Sequence, residues 1–296
     1  MSIGVIRCGN CGTALELFGN EVFCVCGKTH YLFADGIYIR KDMVVDQKSE
    51  MLTRDKQAVG YLSHDKFPTQ IASFDKWLKE IGATIKNGSR EFPGNGQTKI
   101  ALDLGCGPGP YTKKLQDLGF HVIAIDFSSQ SLRLNAGICG LGRVETTFVQ
   151  EDLNRLSLVE NSVDLVVMAD FIQHLGGRSQ RERLLHEVFG SLKKNGCFYL
   201  SFFNLNIKNY LKSDVHGEFA DGLIRYERLT AKNVISSFPN YISIDSVRPM
   251  NIVHGAYLDK ALTALPLSRF FSRMAVVIGK KEGKPQPFLG SVACMI

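Results

Sequence analysis

From residue 99 onward the apolar positions alternate between two rhythms. Short apolar runs, "KIALDLG", "HVIAIDF", "SVDLVVMAD" and "CFYLSFFN", predict buried strands, with "VETTFVQEDL" as a further strand between the second and third of them. The segments "PYTKKLQDLG", "SSQSLRLNAGICG" and "RSQRERLLHEVFGSLKKNG" predict amphipathic helices between the strands. Buried strands separated by such helices imply an α/β protein with a parallel sheet covered on both faces. The tail changes character, with strand-like "YISIDSVRPM", helix-like "AYLDKALTAL" and strand-like "SRMAVVIGKK".

Upstream the pattern differs. The first 40 or so residues read as short strands and turns: "GVIRC", "ALELFG", "EVFCVCG" and "HYLFADGIYI". A polar stretch, residues 40–66, leads to "PTQIASFDKWLKEIGATI", which sets Ile71, Phe74, Trp77, Leu78 and Ile81 at helical spacing. "KNGSREFPGNGQT" is rich in Gly, Asn and Pro and reads as a linker. These shifts divide the chain into a small module at 1–45, a helical lead-in and linker at 46–97, and a large domain at 98–296.

Composition narrows the class. The chain has 296 residues, 45% hydrophobic and 22% charged, as in an ordinary globular protein. No apolar run approaches the roughly 20 residues that span a bilayer. The N-terminus "MSIGVIRCGN" lacks the apolar core of a signal peptide, so a cytoplasmic location is expected. The net charge of +6, from 35 basic and 29 acidic residues, permits contact with RNA but does not require it.

The chemistry gathers at strand ends. In "ALDLGCGPG", Gly105, Gly107 and Gly109 stand between a buried strand and a helix N-terminus, with Asp103 two residues before the first glycine. Such a loop lets backbone approach a ligand closely. Its G-x-G-x-G spacing departs from the G-x-G-x-x-G dinucleotide fingerprint, which disfavours a nicotinamide dehydrogenase. Asp126 ends the next strand, where a carboxylate can accept from both ribose hydroxyls. Asp152 follows the third strand, placed to accept from an adenine amino group while Leu153 packs beside the ring. All three acids fall at one sheet edge, where open α/β sheets bind ligands.

In "LDLGCGPG", "IDFS", "QEDLNRL" and "SVDLVVMADFIQHL", the chain resembles the class I S-adenosylmethionine-dependent methyltransferases over roughly residues 98–280. The resemblance implies a Rossmann-like, seven-stranded sheet whose final strand is antiparallel. It assigns Asp103 and the loop Gly105, Cys106, Gly107 and Gly109 to the methionyl end of the cofactor. Asp126 and Phe127 fall to the ribose, Asp152 and Leu153 to the adenine, and Asp170 joins the cofactor-binding set. In "ADFIQHL", which resembles enzymes acting on quinones, lipids and secondary metabolites, Phe171 and Gln173 would line the cofactor channel. His174 lies where a base or substrate contact belongs, though packing beside the cofactor without proton transfer is the plainer role.

Residues 201–230 are expected to cover the acceptor, bringing Asn204, Tyr210, His216, Phe219, Arg225 and Tyr226, with Tyr61 and Trp77 closing from the other side. The Asn-Pro-Pro-Tyr of base-amine methylases and the Pro-Cys of pyrimidine carbon-5 methylases are both absent. The expected reaction is methyl transfer to a small-molecule or lipid-like acceptor, at oxygen. Two alternatives stand beside it: a tRNA or rRNA methyltransferase, and a scaffold that binds without transfer.

Four of the eight cysteines, Cys8, Cys11, Cys24 and Cys26, crowd the first 26 residues. In a reducing compartment such crowding points to metal, and tetrahedral zinc takes four such ligands. The segment resembles the zinc ribbons that partner RNA and translation-factor methyltransferases, and those fused to some bacterial methyltransferases. Its second knuckle is Cys-x-Cys where two intervening residues are usual, which makes His30 a substitute ligand for Cys24. A metal-free ribbon held by packing is the alternative. The oligomeric state is left open.

Overall fold

A computed structural model describes residues 4–28, 30–41, 48–61, 67–86, 99–140, 146–250, 265 and 267–282. The predicted linker at 86–98 and the helix-like "AYLDKALTAL" lie almost wholly outside the described residues, as does the side chain of Tyr61.

The centre of the fold is a parallel sheet. β5 (Ile100–Leu104) is followed by α3 (Pro110–Asp117), and β6 (His121–Asp126) by α4 (Ser129–Cys139). Then come β7 (Thr146–Gln150), β8 (Val163–Ala169), α5 (Arg178–Ser191) and β9 (Leu192–Phe203). After β9 run α6 (Ile207–Leu211), the hairpin β10 (His216–Phe219) and β11 (Ile224–Glu227), and α7 (Ala231–Ile235). The chain closes with β12 (Ile242–Met250), α8 (Ser268–Phe271) and β13 (Met274–Lys281).

Strand alternation explains the layers. On β8, Val166 and Met168 face one core with Leu184, Leu185 and Phe189 of α5. Leu165 and Val167 face the other, with Tyr111 and Leu115 of α3. That second core also receives α2 (Phe67–Lys86), whose Phe74, Trp77, Leu78 and Ile81 are buried as their spacing predicts. Trp77 packs 5.2 Å from the Tyr199 ring and is not among the residues lining the cavity at the sheet edge, contrary to expectation. Burial in the core is the more favourable place for so large an apolar surface.

Seven strands follow the order β7-β6-β5-β8-β9-β13-β12, with β13 antiparallel to β9, as expected of the final strand. The expected seven is nevertheless an undercount. The N-terminal hairpins β1 (Glu16–Phe18), β2 (Glu21–Phe23), β3 (His30–Ala34) and β4 (Ile37–Arg40) join the same sheet, making eleven. The join is the parallel pair β4–β7, with Ile37 opposite Phe148 and Tyr38 opposite Val149. It covers an edge of β7 that would otherwise be open, a standard liability of open sheets.

"GVIRC" contributes isolated bridges rather than a strand, Ile6 to Leu158 and Arg7 to Ala14. The polar stretch forms a helix, α1 (Lys48–Tyr61), which carries little amphipathic signal because it docks through polar contacts. Its Asp55 accepts from the Ser128 hydroxyl and from Gln130 N at the start of α4, where a negative charge is favourable. Among the described residues no helix is long and apolar enough to cross a membrane.

Candidate active site

Because β5, β6, β7 and β8 are parallel, their C-terminal ends meet along one edge. A cavity of about 1070 Å³, its open mouth included, lies there. Gly105, Cys106, Gly107, Asp126, Phe127, Asp152, Leu153, Asp170, Phe171 and His174 all line it. Asp103 and Gly109 stand behind it: Asp103 is wholly buried and Gly109 sits at the cap of α3.

The loop is held from below. Asp126 accepts from Gly107 N at 2.9 Å through one oxygen and from Ser128 N at 2.8 Å through the other. Asp103 accepts at 2.6 Å from the Thr112 hydroxyl, which itself accepts at 2.9 Å from the Asn135 amide. The second Asp103 oxygen is buried and without a partner among the described residues. Burial pushes the Asp103 carboxyl up to about 7, with Thr112 drawing it back and the Asp126 charge adding to the rise. Burial also raises Asp126.

Backbone strain shapes the far wall. Asp170 has φ 58°, a left-handed conformation unusual for a non-glycine residue. It persists because both carboxylate oxygens are engaged, by the Ser201 hydroxyl and by the Gln70 amide, while Asp170 N donates to Ser201 O at 3.2 Å. The turn delivers the Phe171 ring against Gly105. A Cβ at Gly105, itself at φ 62°, would meet that ring at 2.9 Å, so only glycine fits.

His174 occupies the partition between this cavity and a second of about 1280 Å³, sharing that place with Leu175. Its Nδ1 donates to the Arg225 carbonyl at 2.8 Å, which leaves Nε2 as an acceptor, with the Gln173 amide 3.5 Å away. Burial and the nearby Arg54 guanidinium hold its pKa well below the usual imidazole range. Gln173, expected in the cofactor channel, lines the second cavity instead. Of the residues foreseen over the acceptor, His216, Arg225 and Tyr226 line that cavity, and Phe219 stacks on Tyr226 at 4.7 Å. Asn204 is structural, donating to the carbonyls of Arg269 and Ser272, and Tyr210 is exposed on α6.

Sequence reasoning missed Glu50, Arg54, Gln57 and Ala58 of α1, which complete the cavity wall. No periodicity marks them. Thr112 and Asn135 were missed too, although both lie on predicted helices close to the loop.

The four N-terminal cysteines converge. Their sulfurs all lie within 4.8 Å of one another, with Cys11 to Cys24 at 3.3 Å and Cys8 to Cys26 at 3.6 Å. Tetrahedral zinc with Zn–S bonds of about 2.3 Å sets its sulfurs about 3.8 Å apart, so the cluster has the right size. Cys24, not His30, is the fourth member. His30 pairs with Glu21 at 3.1 Å.

The comparisons with known proteins agree with this geometry. Residues 102–200 match the family described as "Methyltransferase domain". The fold, the edge cavity and the match make the chain an S-adenosylmethionine-dependent methyltransferase. It is similar to the ubiquinone biosynthesis O-methyltransferase of Paraburkholderia xenovorans, 25% identical over 187 residues, covering 60% of this chain and 73% of the relative. Two solved structures share the fold. One is the N-methyltransferase NodS of Bradyrhizobium japonicum in complex with S-adenosylhomocysteine, with TM-score 0.52, 12% identity, and coverage of 79% of this chain and 99% of that one. The other is the magnesium protoporphyrin IX methyltransferase of Synechocystis, with TM-score 0.51, 15% identity, and coverage of 78% and 94%.

Proposed function

We propose that the enzyme methylates an oxygen of a small, planar, quinone-like or lipid-like acceptor. The observation that carries this reading is the partition at His174. Behind it Phe203, Phe219 and Tyr226 form an aromatic cluster, with Phe203 5.1 Å from Tyr226. Of the three, Tyr226 lines the second cavity beside His174 and His216, and flat rings there suit a flat acceptor. The similarity to a ubiquinone biosynthesis O-methyltransferase supports the same class.

The cavity residues fit the methyl donor. Asp126, Asp152 and Asp170 line the cavity with Glu50 and its partner Arg54, the one Lys or Arg among the described residues of the wall, and a buried Asp103 oxygen without a described partner lies behind them. That excess of acid suits a ligand bearing ammonium and sulfonium charges. The bare backbone at Gly107, where nothing lies within 4 Å of the missing Cβ, suits close approach to the methionyl end. In this reading Asp126 holds the ribose hydroxyls, Asp152 the adenine amino group, and Leu153 and Phe127 pack beside the nucleoside. The bound donor supplies an activated methyl group.

What the chain adds is alignment and dryness. Orientation of reacting groups can contribute about 7–11 kcal/mol. The acceptor's hydroxyl displaces the Gln173 amide, 3.5 Å from His174 Nε2, and donates to that nitrogen, which turns the hydroxyl oxygen toward the cofactor cavity. Burial disfavours a charged imidazole, so the hydroxyl proton passes to solvent through the open second cavity as the methyl is received. The test is incubation with methyl-labelled S-adenosylmethionine and cell extract. Label in solvent-extractable phenols or catechols supports the reading, and label in RNA alone overturns it.

The same reading places structural zinc at Cys8, Cys11, Cys24 and Cys26, closing a module at 1–45 joined by the 46–97 lead-in to the 98–296 catalytic domain. Metal analysis of gently purified protein should return one zinc per chain, and none would remove the assignment. A grip on RNA is not favoured, since Arg40 is committed to Glu151 and Lys41 to Glu21.

A further inference from the structure

The cysteine module touches the cavity through a contact that no local motif announces. Tyr31 and Arg40 lie opposite each other on β3 and β4, and the parallel join to β7 carries both to Glu151, just past the end of that strand. Glu151 is 2% exposed. Its Oε2 accepts from the Tyr31 hydroxyl and from the Arg40 guanidinium, which lies 5.6 Å over the Tyr31 ring. Its Oε1 accepts from Asp152 N at 2.9 Å. Asp152 in turn caps the short 3₁₀ turn Leu153–Arg155 by accepting from Asn154 N at 2.9 Å. Asp152, Leu153 and Asn154 line the cofactor cavity.

The segment after that turn is clamped as well. Arg7 N donates to Ser157 O at 2.8 Å, and Val159 N donates to Val5 O at 2.8 Å. Gly9 packs so closely that a Cβ there would lie 2.5 Å from the Arg155 carbonyl oxygen. The module thus grips the turn from both ends. A desolvated carboxylate is costly unless donors surround it, and here the donors come from two distant parts of the chain.

We infer that Tyr31, Arg40 and Glu151 are positioning residues for the methyl donor, and that the cysteine module is a working part of the cofactor site. Through Glu151 they fix the Asp152–Asn154 turn against the nucleoside base. The inference rests on the reading that Asp152 accepts from the adenine amino group.

Calorimetric titration of the full-length protein with S-adenosylhomocysteine and S-inosylhomocysteine tests it, because the second ligand carries an oxo group in place of the amino group. The wild type should prefer the adenosyl ligand by about tenfold or more, since a site built to hydrogen-bond a group rejects the analogue without it. Tyr31→Phe and Arg40→Met should weaken adenosyl binding about fivefold and leave inosyl binding within about twofold, narrowing the preference by about what one ordinary hydrogen bond is worth. Arg40→Lys should restore part of it.

An unchanged preference in the folded variants would overturn the inference and leave the contact as a fastening of the module to the sheet. If Arg40→Met does not fold, Tyr31→Phe decides alone, because it keeps the ring and removes one donor. A wild type that binds the adenosyl ligand without preference overturns the placement of Asp152 and this inference with it. A wild type that binds neither ligand overturns the cofactor reading itself.

Discussion

Asp103→Asn is the perturbation whose outcome the structure fixes most closely. The carboxyl is fully buried, accepts one hydrogen bond from Thr112, and has its pKa pushed from the usual 3.8 to about 7 by burial. The folded free enzyme therefore binds a proton that the unfolded chain releases between about pH 4 and pH 7. The resulting stability is fully present below about pH 4 and is lost as pH rises through 7. Three units correspond to about 4 kcal/mol, of which roughly 3 remains at pH 5 and almost none at pH 8. Asparagine cannot ionise, yet its carbonyl still accepts from Thr112. The stability of Asp103→Asn relative to wild type should thus rise by roughly 3 kcal/mol between pH 5 and pH 8. Urea unfolding of the ligand-free proteins at the two pH values measures that double difference. At pH 8 the same variant should bind S-adenosylmethionine about tenfold more weakly, having lost a negative charge beside a cationic ligand. A stability difference that stays the same at both pH values would refute the reasoning.

Two further outcomes follow from the cavity walls. Gly105→Ala should cost about 1–3 kcal/mol of stability and abolish donor binding, because the residue sits at φ 62° and the new Cβ meets the Phe171 ring at 2.9 Å; thermal unfolding and calorimetry check both, and a variant that binds as wild type does would contradict the account of the loop. His174→Ala should lower turnover on the labelled acceptor about tenfold without changing the pH–rate profile between pH 5 and pH 8, since the imidazole stays neutral across that range. A wild-type profile with a limb near pH 6.5 that His174→Ala removes would restore His174 as a titrating base.

The parts of the site legible in the sequence are those encoded locally. Asp103, Gly105 and Gly107 lie within a few residues of a strand end, so an apolar run followed by glycines marks their place in the chain. Asp126 and Asp152 follow from the same strand rhythm. The illegible parts depend on distant pairings. Glu151 meets Arg40 across 111 residues, and Asp55 meets Ser128 across 73. The helix α1 hides its role because it docks with hydrogen bonds rather than an apolar stripe. The sheet was undercounted for a related reason: β4 reads as half of a small hairpin, and only the register with Phe148 and Val149 shows that it extends the larger sheet. The cysteine cluster was legible as a group of four, and only His30 as a substitute for Cys24 was left for the structure to remove. Backbone geometry brings Cys24 to Cys11 at 3.3 Å despite the shortened second knuckle, while Glu21 takes His30.

If the carboxylates at the sheet edge hold the methyl donor, Asp126 matters most, since one of its oxygens holds the glycine loop through Gly107 N and the other the start of α4 through Ser128 N. Calorimetric titration of S-adenosylmethionine into wild type and Asp126→Ala tests that role most directly. One molecule should bind per wild-type chain, and the variant should bind at least about tenfold more weakly. Equal affinity in the two proteins, or a wild type with none, would contradict it.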